Sequence, residues 1–294
     1  MYFLVQLING LQIGSIYALI ALGYTMVYGI IKLINFAHGD IMMVGAYLAL
    51  LLLNNGIPII PAMLISMAGC AIFGIIIERL AYKPLRKSSR LSALITAIGV
   101  SLLLQNAAML VFGSAARTFP DLTKGMPSFQ LGSNSVNILT VISIVLAIVV
   151  MIALQLFVTR SKAGTAMRAV SEDTDAAELM GINVNTTISM TFAIGSGLAA
   201  FAAILFCMAY PQVTPYMGAM PGIKAFIAAV LGGIGVIPGA MIGGFILGVI
   251  EALTKAYIPS GYSALSDAVV FAILIIVLLV KPSGLLGRPQ REKV

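Results

Sequence analysis

Charge is what this sequence has least of. Only 9% of its 294 residues are Asp, Glu, Lys or Arg, and residues 1–31 carry none of them. A secretory leader needs a positive stretch before a short apolar core, so the first segment reads as a retained helix. Histidine occurs once, at His38, and cysteine twice, at Cys70 and Cys207. Both cysteines fall inside apolar runs, which excludes a disulfide framework and suits small packing residues. The sequence has no GxxxxGK[ST] phosphate loop, no HExxH and no CxxC, so it is not expected to bind ATP through such a loop, to hold a metal or to catalyse a reaction.

What is present in quantity is apolar surface. Hydrophobic residues make up 60% of the chain and the mean hydropathy is +1.07. A soluble domain has too little interior for that fraction. A β-barrel would show short alternating segments, whereas this chain has continuous runs. Nine runs stand out, at 7–31, 40–54, 59–80, 92–112, 137–158, 186–210, 222–237, 239–256 and 264–280. Crossing the hydrocarbon layer takes roughly 20 residues. The reading is an all-α, polytopic helical bundle, one transmembrane domain over 1–294, with about eight or nine crossing or re-entrant segments. The short run 40–54 and the glycine-broken run 222–237 are the candidates for half-helices.

The longest polar break, 159–185, reads TRSKAGTAMRAVSEDTDAAELMGINVN and holds four of the ten acids. It is helix-prone: one short helix is expected over Ala163–Val170 and a second over AAELMG. Thr174 or Asp175 would cap the second helix and Gly181 would end it. Leu179, Met180 and Ile182 form an apolar edge that a connecting loop has no reason to display, so this insert is expected to dock on a partner. Placing 159–185 in the cytoplasm puts thirteen of the seventeen Lys and Arg residues inside. Only Arg117, Lys124, Lys224 and Lys255 are left outside or ambiguous. The amino terminus is then outside and the carboxyl terminus cytoplasmic. The Gly-, Ser- and Pro-rich loop 113–136 faces outward, as a surface loop or as a lip for an external partner. The net charge of +7 reflects these basic loops, and no nucleic-acid binding is implied.

Two stretches are candidates for a transport route. The first is Asn35, Phe36, Ala37, His38, Gly39 and Asp40, a polar turn between two apolar runs, where Asp40 either caps the next helix or lines a route or gate. The second is the break at Gly232, Gly233, Gly235 and Gly239. The early NFAHGDIMMVGAYLALLL and the late AVLGGIGVIPGAMIGGFILGVIEAL suggest a weak two-half repeat around such a route. Glycines at 235, 239 and 243, at 244 and 248, and at 10 and 14 also suit close helix packing. Glu251 is expected to pair with Lys255 one helical turn on, near the outer surface. Glu78, beside Arg79 at a helix end, is expected at a cytoplasmic interface. A largely apolar cavity with no charge-clamping group is expected.

The stretch INGLQIGSIYALIALGYTMVYGIIKLINFAHGDIMMVGAYLA resembles the amino-terminal signature of branched-chain amino-acid ABC importer permeases. RSKAGTAMRAVSEDTDAAELMGINV and GIKAFIAAVLGGIGVIPGAMIGGFILGVIEAL extend the resemblance over nearly the whole chain. The first stretch looks like the shorter of the two permeases such systems pair. Ribose-type sugar permeases are more distant. The resemblance implies one membrane subunit of a bacterial inner-membrane importer of leucine, isoleucine or valine. It implies as partners a second, related permease, two cytoplasmic ATPases, a periplasmic substrate-binding protein and membrane lipid. ATP would be used by those ATPases, with no cofactor in this chain. The ATPase-contacting helix of the family maps onto Ala176, Ala177, Glu178, Leu179, Met180 and Gly181. Relatives with the same signature carry other amino acids, amides or urea. A self-contained ion-coupled carrier and a passive channel are the competing readings.

Overall fold

A computed structural model describes residues 2–86, 88–122, 126–131, 134–259 and 265–287. Lys87, Lys124 and the tail residues Arg288, Arg291 and Lys293, which carry part of the charge argument above, lie outside the described residues. So do parts of the loop 113–136. The chain is helical almost throughout. Its helices are α1 (Tyr2–Ile31), α2 (His38–Asn54), α3 (Ile59–Ile77), α4 (Arg90–Phe112), α5 (Ile138–Arg160), α6 (Lys162–Glu172), α7 (Thr174–Leu179), α8 (Val184–Ala209), α9 (Ala219–Gly232), α10 (Ile237–Tyr257) and α11 (Leu265–Val280). Among the described residues, six helices are long and apolar enough to cross a membrane; α2, α9 and α11 are apolar but shorter. Two-residue strands β1 (Arg117–Thr118) and β4 (Gln212–Val213) pair antiparallel, as do β2 (Ser128–Leu131) and β3 (Asn134–Asn137). The first pairing ties the loop after α4 to the segment after α8 and buries Phe119.

α1 and α8 form the buried centre, while α3, α4 and α5 expose most of their apolar side chains, as helices facing lipid do. Small residues set the tightest contact, where Gly10, Gly14 and Ala18 of α1 meet Ala252, Gly248 and Gly244 of α10. A Cβ at Gly248 would lie 2.2 Å from the Gly14 Cα. Helices without a hydrophobic drive to associate gain by such close backbone approach, so packing is the role of these glycines. Cys70 and Cys207 are buried and unpaired, as expected.

The directions of the helices reveal two opposed pairs. Gly195 of α8 packs on Gly23 of α1, and Ile188 shares a cleft with Ile30 and Ile31, so α8 runs against α1. α2 follows α8, with His38 beside Gly195 and Gly45 on Ala200. α9 follows α1, with Gly222 near the Tyr24 hydroxyl and Gly235 near Gly29. Hence α1–α2 and α8–α9 are each a long helix followed by a short one, in opposite senses. Both short helices begin at the level of Gly23 and Tyr24, about 12 Å before the end of α1 at 1.5 Å per residue. The second break of the repeat therefore lies at Gly218–Gly222, not at Gly232–Gly239. In the sequence, 211–221 falls between two apolar runs and outside the stretches that suggest the repeat.

Local sequence explains the insert between α5 and α8. Ser161 caps α6 by accepting from the Gly164 N–H at 2.9 Å. Asp173, rather than Thr174 or Asp175, caps α7, accepting from the N–H groups of Asp175 and Ala176, both at 3.0 Å. The far end closes as a Schellman motif: Gly181 N–H reaches the Glu178 carbonyl at 2.9 Å and Ile182 N–H the Ala177 carbonyl at 3.0 Å. Gly181 has φ +82°, the left-handed conformation that glycine adopts without a Cβ penalty.

Glu78 departs from expectation. α3 continues through a π-helical turn, Glu78–Tyr82, that carries Glu78 inward, where it is fully buried. Its carboxylate pairs with Arg86 and accepts from the Ser189 hydroxyl at 2.6 Å. A buried, paired acid joins α3 to α8 and is not free to meet a partner protein.

Candidate functional site

The polar turn before α2 is built inward, not outward. His38 N–H bonds the Asn35 carbonyl at 3.1 Å, and Tyr82 of the π turn donates to Asn35 Oδ1 at 2.7 Å. Asn35, His38 and Asp40 are all at least 98% buried. The His38 ring lies edge-on to Tyr24, 4.8 Å between centroids, in space that a Cβ at Gly23 would fill. Phe36 sits 5.8 Å from Phe226 of α9. Gly39 is the contact point of the two short helices. A Cβ there would lie 2.3 Å from the Gly218 carbonyl oxygen.

Asp40 lies in the first turn of α2, but its side chain caps nothing, and the helix has no side-chain cap. It turns toward α4, where Gln105 Nε2 donates to Asp40 Oδ1 at 2.9 Å and lies 3.3 Å from Ser101 Oγ. Among the described residues no cation pairs with it. A carboxylate at bilayer depth costs about 2.5–3.5 kcal/mol on insertion scales, so one held without a counter-ion points to function. Asp40 forms part of the floor of a cavity of about 280 Å³ between α2, α4 and α9. Tyr24, Ser101 and Gln105 add polar groups; Phe36, Ile98, Leu102 and Ile223 form apolar walls; Gly39, Gly218, Ala219 and Gly222 keep the backbone close. That volume is near the lower bound, about 300 Å³, of small-molecule pockets, and its apolar walls with few convergent polar groups fit the pattern.

The Gly232–Gly239 break is elsewhere and differently built. It lies at the far end of α9, about 21 Å along the helix from its start. Gly232 and Gly239 pack backbone to backbone, and Gly233 (φ +107°) and Gly235 (φ +92°) make the turn between α9 and α10. The carbonyls of Leu231 and Gly232 accept from Leu285 and Leu286 N–H at 2.8 and 2.9 Å. The open backbone that sequence reasoning placed there is closed by the chain after α11. The fold therefore gathers Asn35–Asp40 with Gly218–Gly222, and leaves Gly232, Gly233, Gly235 and Gly239 in a satisfied turn.

Sequence reasoning missed Tyr24, Ser101, Gln105, Gly218 and Gly222. Ser101 and Gln105 were visible as polar residues one helical turn apart inside an apolar run. Gly218 and Gly222 were visible as a four-residue small-residue spacing.

A third buried carboxylate, Glu251, is fully partnered. Lys224 and Lys255 donate to its Oε1 at 2.8 and 2.5 Å, and Tyr17 to its Oε2 at 2.8 Å. Lys224 also bridges to Asp267 at 2.7 Å. The pairing with Lys255 was legible from the four-residue spacing. The binding of Lys224, Tyr17 and Asp267 into the same cluster was not.

At the opposite end of the insert, α7 stands out from the surface. Leu179 and Met180 are 89% and 82% exposed, Ala176 and Glu178 are also exposed, and Ala177 alone is buried, anchoring the helix. Behind it a cleft of about 920 Å³ runs between the end of α1 and the start of α8, lined among others by Lys32, Arg86, Asp175, Glu178 and Asn185.

A bundle of apolar helices, with two short helices meeting at depth beside a closed-in carboxylate, defines a multi-pass membrane transport protein. The chain belongs to the family described as branched-chain amino acid transport system / permease component, whose profile matches residues 6–278. It is 48% identical to the high-affinity branched-chain amino acid transport system permease protein BraD of Pseudomonas aeruginosa, over 100% of this chain and 98% of that one. It is 47% identical to the corresponding permease LivH of Escherichia coli K12, with the same coverage. The fructose import permease FruG of Bifidobacterium longum is 24% identical, over 84% of this chain and 74% of its own. No solved structure matches the chain.

Proposed function

We propose that this chain is the membrane-spanning subunit of a bacterial inner-membrane importer for leucine, isoleucine and valine. It works beside a second, related permease. A periplasmic protein delivers substrate, and two cytoplasmic ATPases supply the work. Likeness over the full length to permeases named for branched-chain amino acids supports the substrate. In this reading the amino terminus is outside, and 159–185 and the carboxyl terminus are cytoplasmic.

The observation that carries the mechanical part is α7. It is capped at both ends, anchored by Ala177, and displays Leu179 and Met180 almost wholly to solvent. A short helix with two bare apolar side chains gains by entering a groove. Ala176, Glu178, Leu179, Met180 and Gly181 make the contact, and Ala177 holds the helix in place.

Two changes test it. Gly181→Val places a β-branched residue at φ +82°, which costs about 1–2 kcal/mol locally and loosens the cap. Glu178→Lys reverses an exposed charge. The double variant should insert and fold, but lose co-purification with the ATPases and substrate-stimulated ATP hydrolysis in vesicles. Wild-type behaviour in both assays would reject α7 as the coupling contact. External labelling of a cysteine placed at position 172 would reject the orientation.

A further inference from the structure

We infer that the cavity between α2, α4 and α9 is a transient site for a zwitterionic aliphatic amino acid, with Asp40 receiving its ammonium group. The inference rests on the reading of the chain as an amino-acid permease and gives that reading its chemistry. Four observations carry it.

First, Asp40 is 2% exposed and faces the cavity, with the neutral Gln105 and Ser101 as its hydrogen-bond partners and no cation beside it among the described residues. A carboxylate accepts only, and its several lone pairs are not exhausted by one amide and one hydroxyl. Second, the walls opposite it are aliphatic and aromatic: Ile98, Leu102, Ile223 and Phe36. Third, the first turn of α9 lines the same cavity at Gly218, Ala219 and Gly222, which puts the positive end of its dipole beside it. Fourth, the cavity is not sealed: Ile98 and Leu102, which line it, are about half exposed on the outer face of α4.

One negative group, one helix amino terminus and an apolar wall match ammonium, carboxylate and hydrocarbon chain of a single small molecule. A lipid acyl chain would fill the walls but leave the carboxylate unanswered. The site would add selection for a free α-amino group inside the membrane, where an apolar cavity alone could grade only the side chain.

The test uses the complete importer in proteoliposomes with its binding protein, and radiolabelled leucine. Leucine uptake by the wild type decides the functional reading by itself. Asp40→Asn should lower uptake by about 30-fold or more, as loss of one partner of a buried charge pair does, in a complex that still assembles. Asp40→Glu should recover part of the loss. A second measurement does not depend on transport. In a Ser101→Cys complex, an ammonium-bearing thiosulfonate should react about tenfold faster than a sulfonate-bearing one, because Asp40 concentrates cations in the cavity. Leucine should slow that reaction, and adding Asp40→Asn should abolish the preference. Equal reaction with both reagents, or near-wild-type uptake in Asp40→Asn, overturns the inference and leaves a lipid-filled gap. Loss of assembly in Asp40→Asn together with no reagent preference would assign Asp40 a structural role only. Reagent preference without any wild-type leucine uptake would retain the cation site and reject the branched-chain substrate.

Discussion

Asp40 and Glu251 are both buried carboxylates in apolar helices, and they are held in opposite ways. Glu251 has two lysines and a tyrosine on its oxygens, with a second acid, Asp267, sharing one of the lysines. Asp40 has two neutral groups of α4, Gln105 and Ser101, and no cation beside it among the described residues. The first arrangement ties α10 to α1, α9 and α11 and leaves no unmatched charge. The second leaves the carboxyl without a cation among the described residues. A buried acid in a membrane protein is thus informative only with its partners: paired with cations, it is a staple; unpaired, it is a candidate for function.

The sharpest test of that contrast is Lys224→Met. Lys224 is almost fully buried, and removing it strips a cation from both Glu251 and Asp267. Breaking a buried pair in this way should cost about 3–5 kcal/mol, read as a lower unfolding temperature in detergent. Asp40→Asn should do the reverse. It removes an uncompensated charge, so the bundle should be as stable as the wild type or more so, by up to about 3 kcal/mol, even while uptake falls. Destabilisation by Asp40→Asn comparable to that of Lys224→Met would erase the distinction. Tyr17→Phe removes one hydrogen bond to a charged acceptor and should cost about 1.5 kcal/mol in the same measurement. Lys255→Ala is the smallest change. Lys255 shares the Glu251 oxygen with Lys224 but is 41% exposed, so solvent screening should hold its effect below about 1 kcal/mol. Equal losses at Lys224 and Lys255 would show that burial does not set the strength of this cluster.

Much of this was legible in the residues. Hydropathy alone located nine helices to within a few residues, since a run of apolar side chains this long has no other stable environment. The insert was legible because its signals are local: caps, a left-handed glycine and a polar composition act within one turn of chain. The Gly10–Gly14 stripe was legible from its four-residue spacing. What was missed is non-local. The apolar run read as 222–237 ends at Gly232, because Gly233 and Gly235 turn the chain and Leu285–Leu286 cap it. Glu78 looked like a surface acid because Arg79 follows it, but a π turn rotates it onto Arg86 and Ser189.

The sequence by itself determined that this chain lies in a membrane, that it is helical, that its polar insert folds into two short capped helices, and which family it resembles. Each of those follows from side-chain hydrophobicity or from interactions within a few residues. Only the tertiary structure decided what surrounds Asp40. Its donor Gln105 is 65 residues away and the helix start that faces it, at Gly218, is farther still. Two short helices of opposite direction had to meet at depth before a turn that looked like a helix cap became the floor of a cavity. No periodicity in the chain encodes that meeting, because it depends on glycines in separate segments fitting against one another.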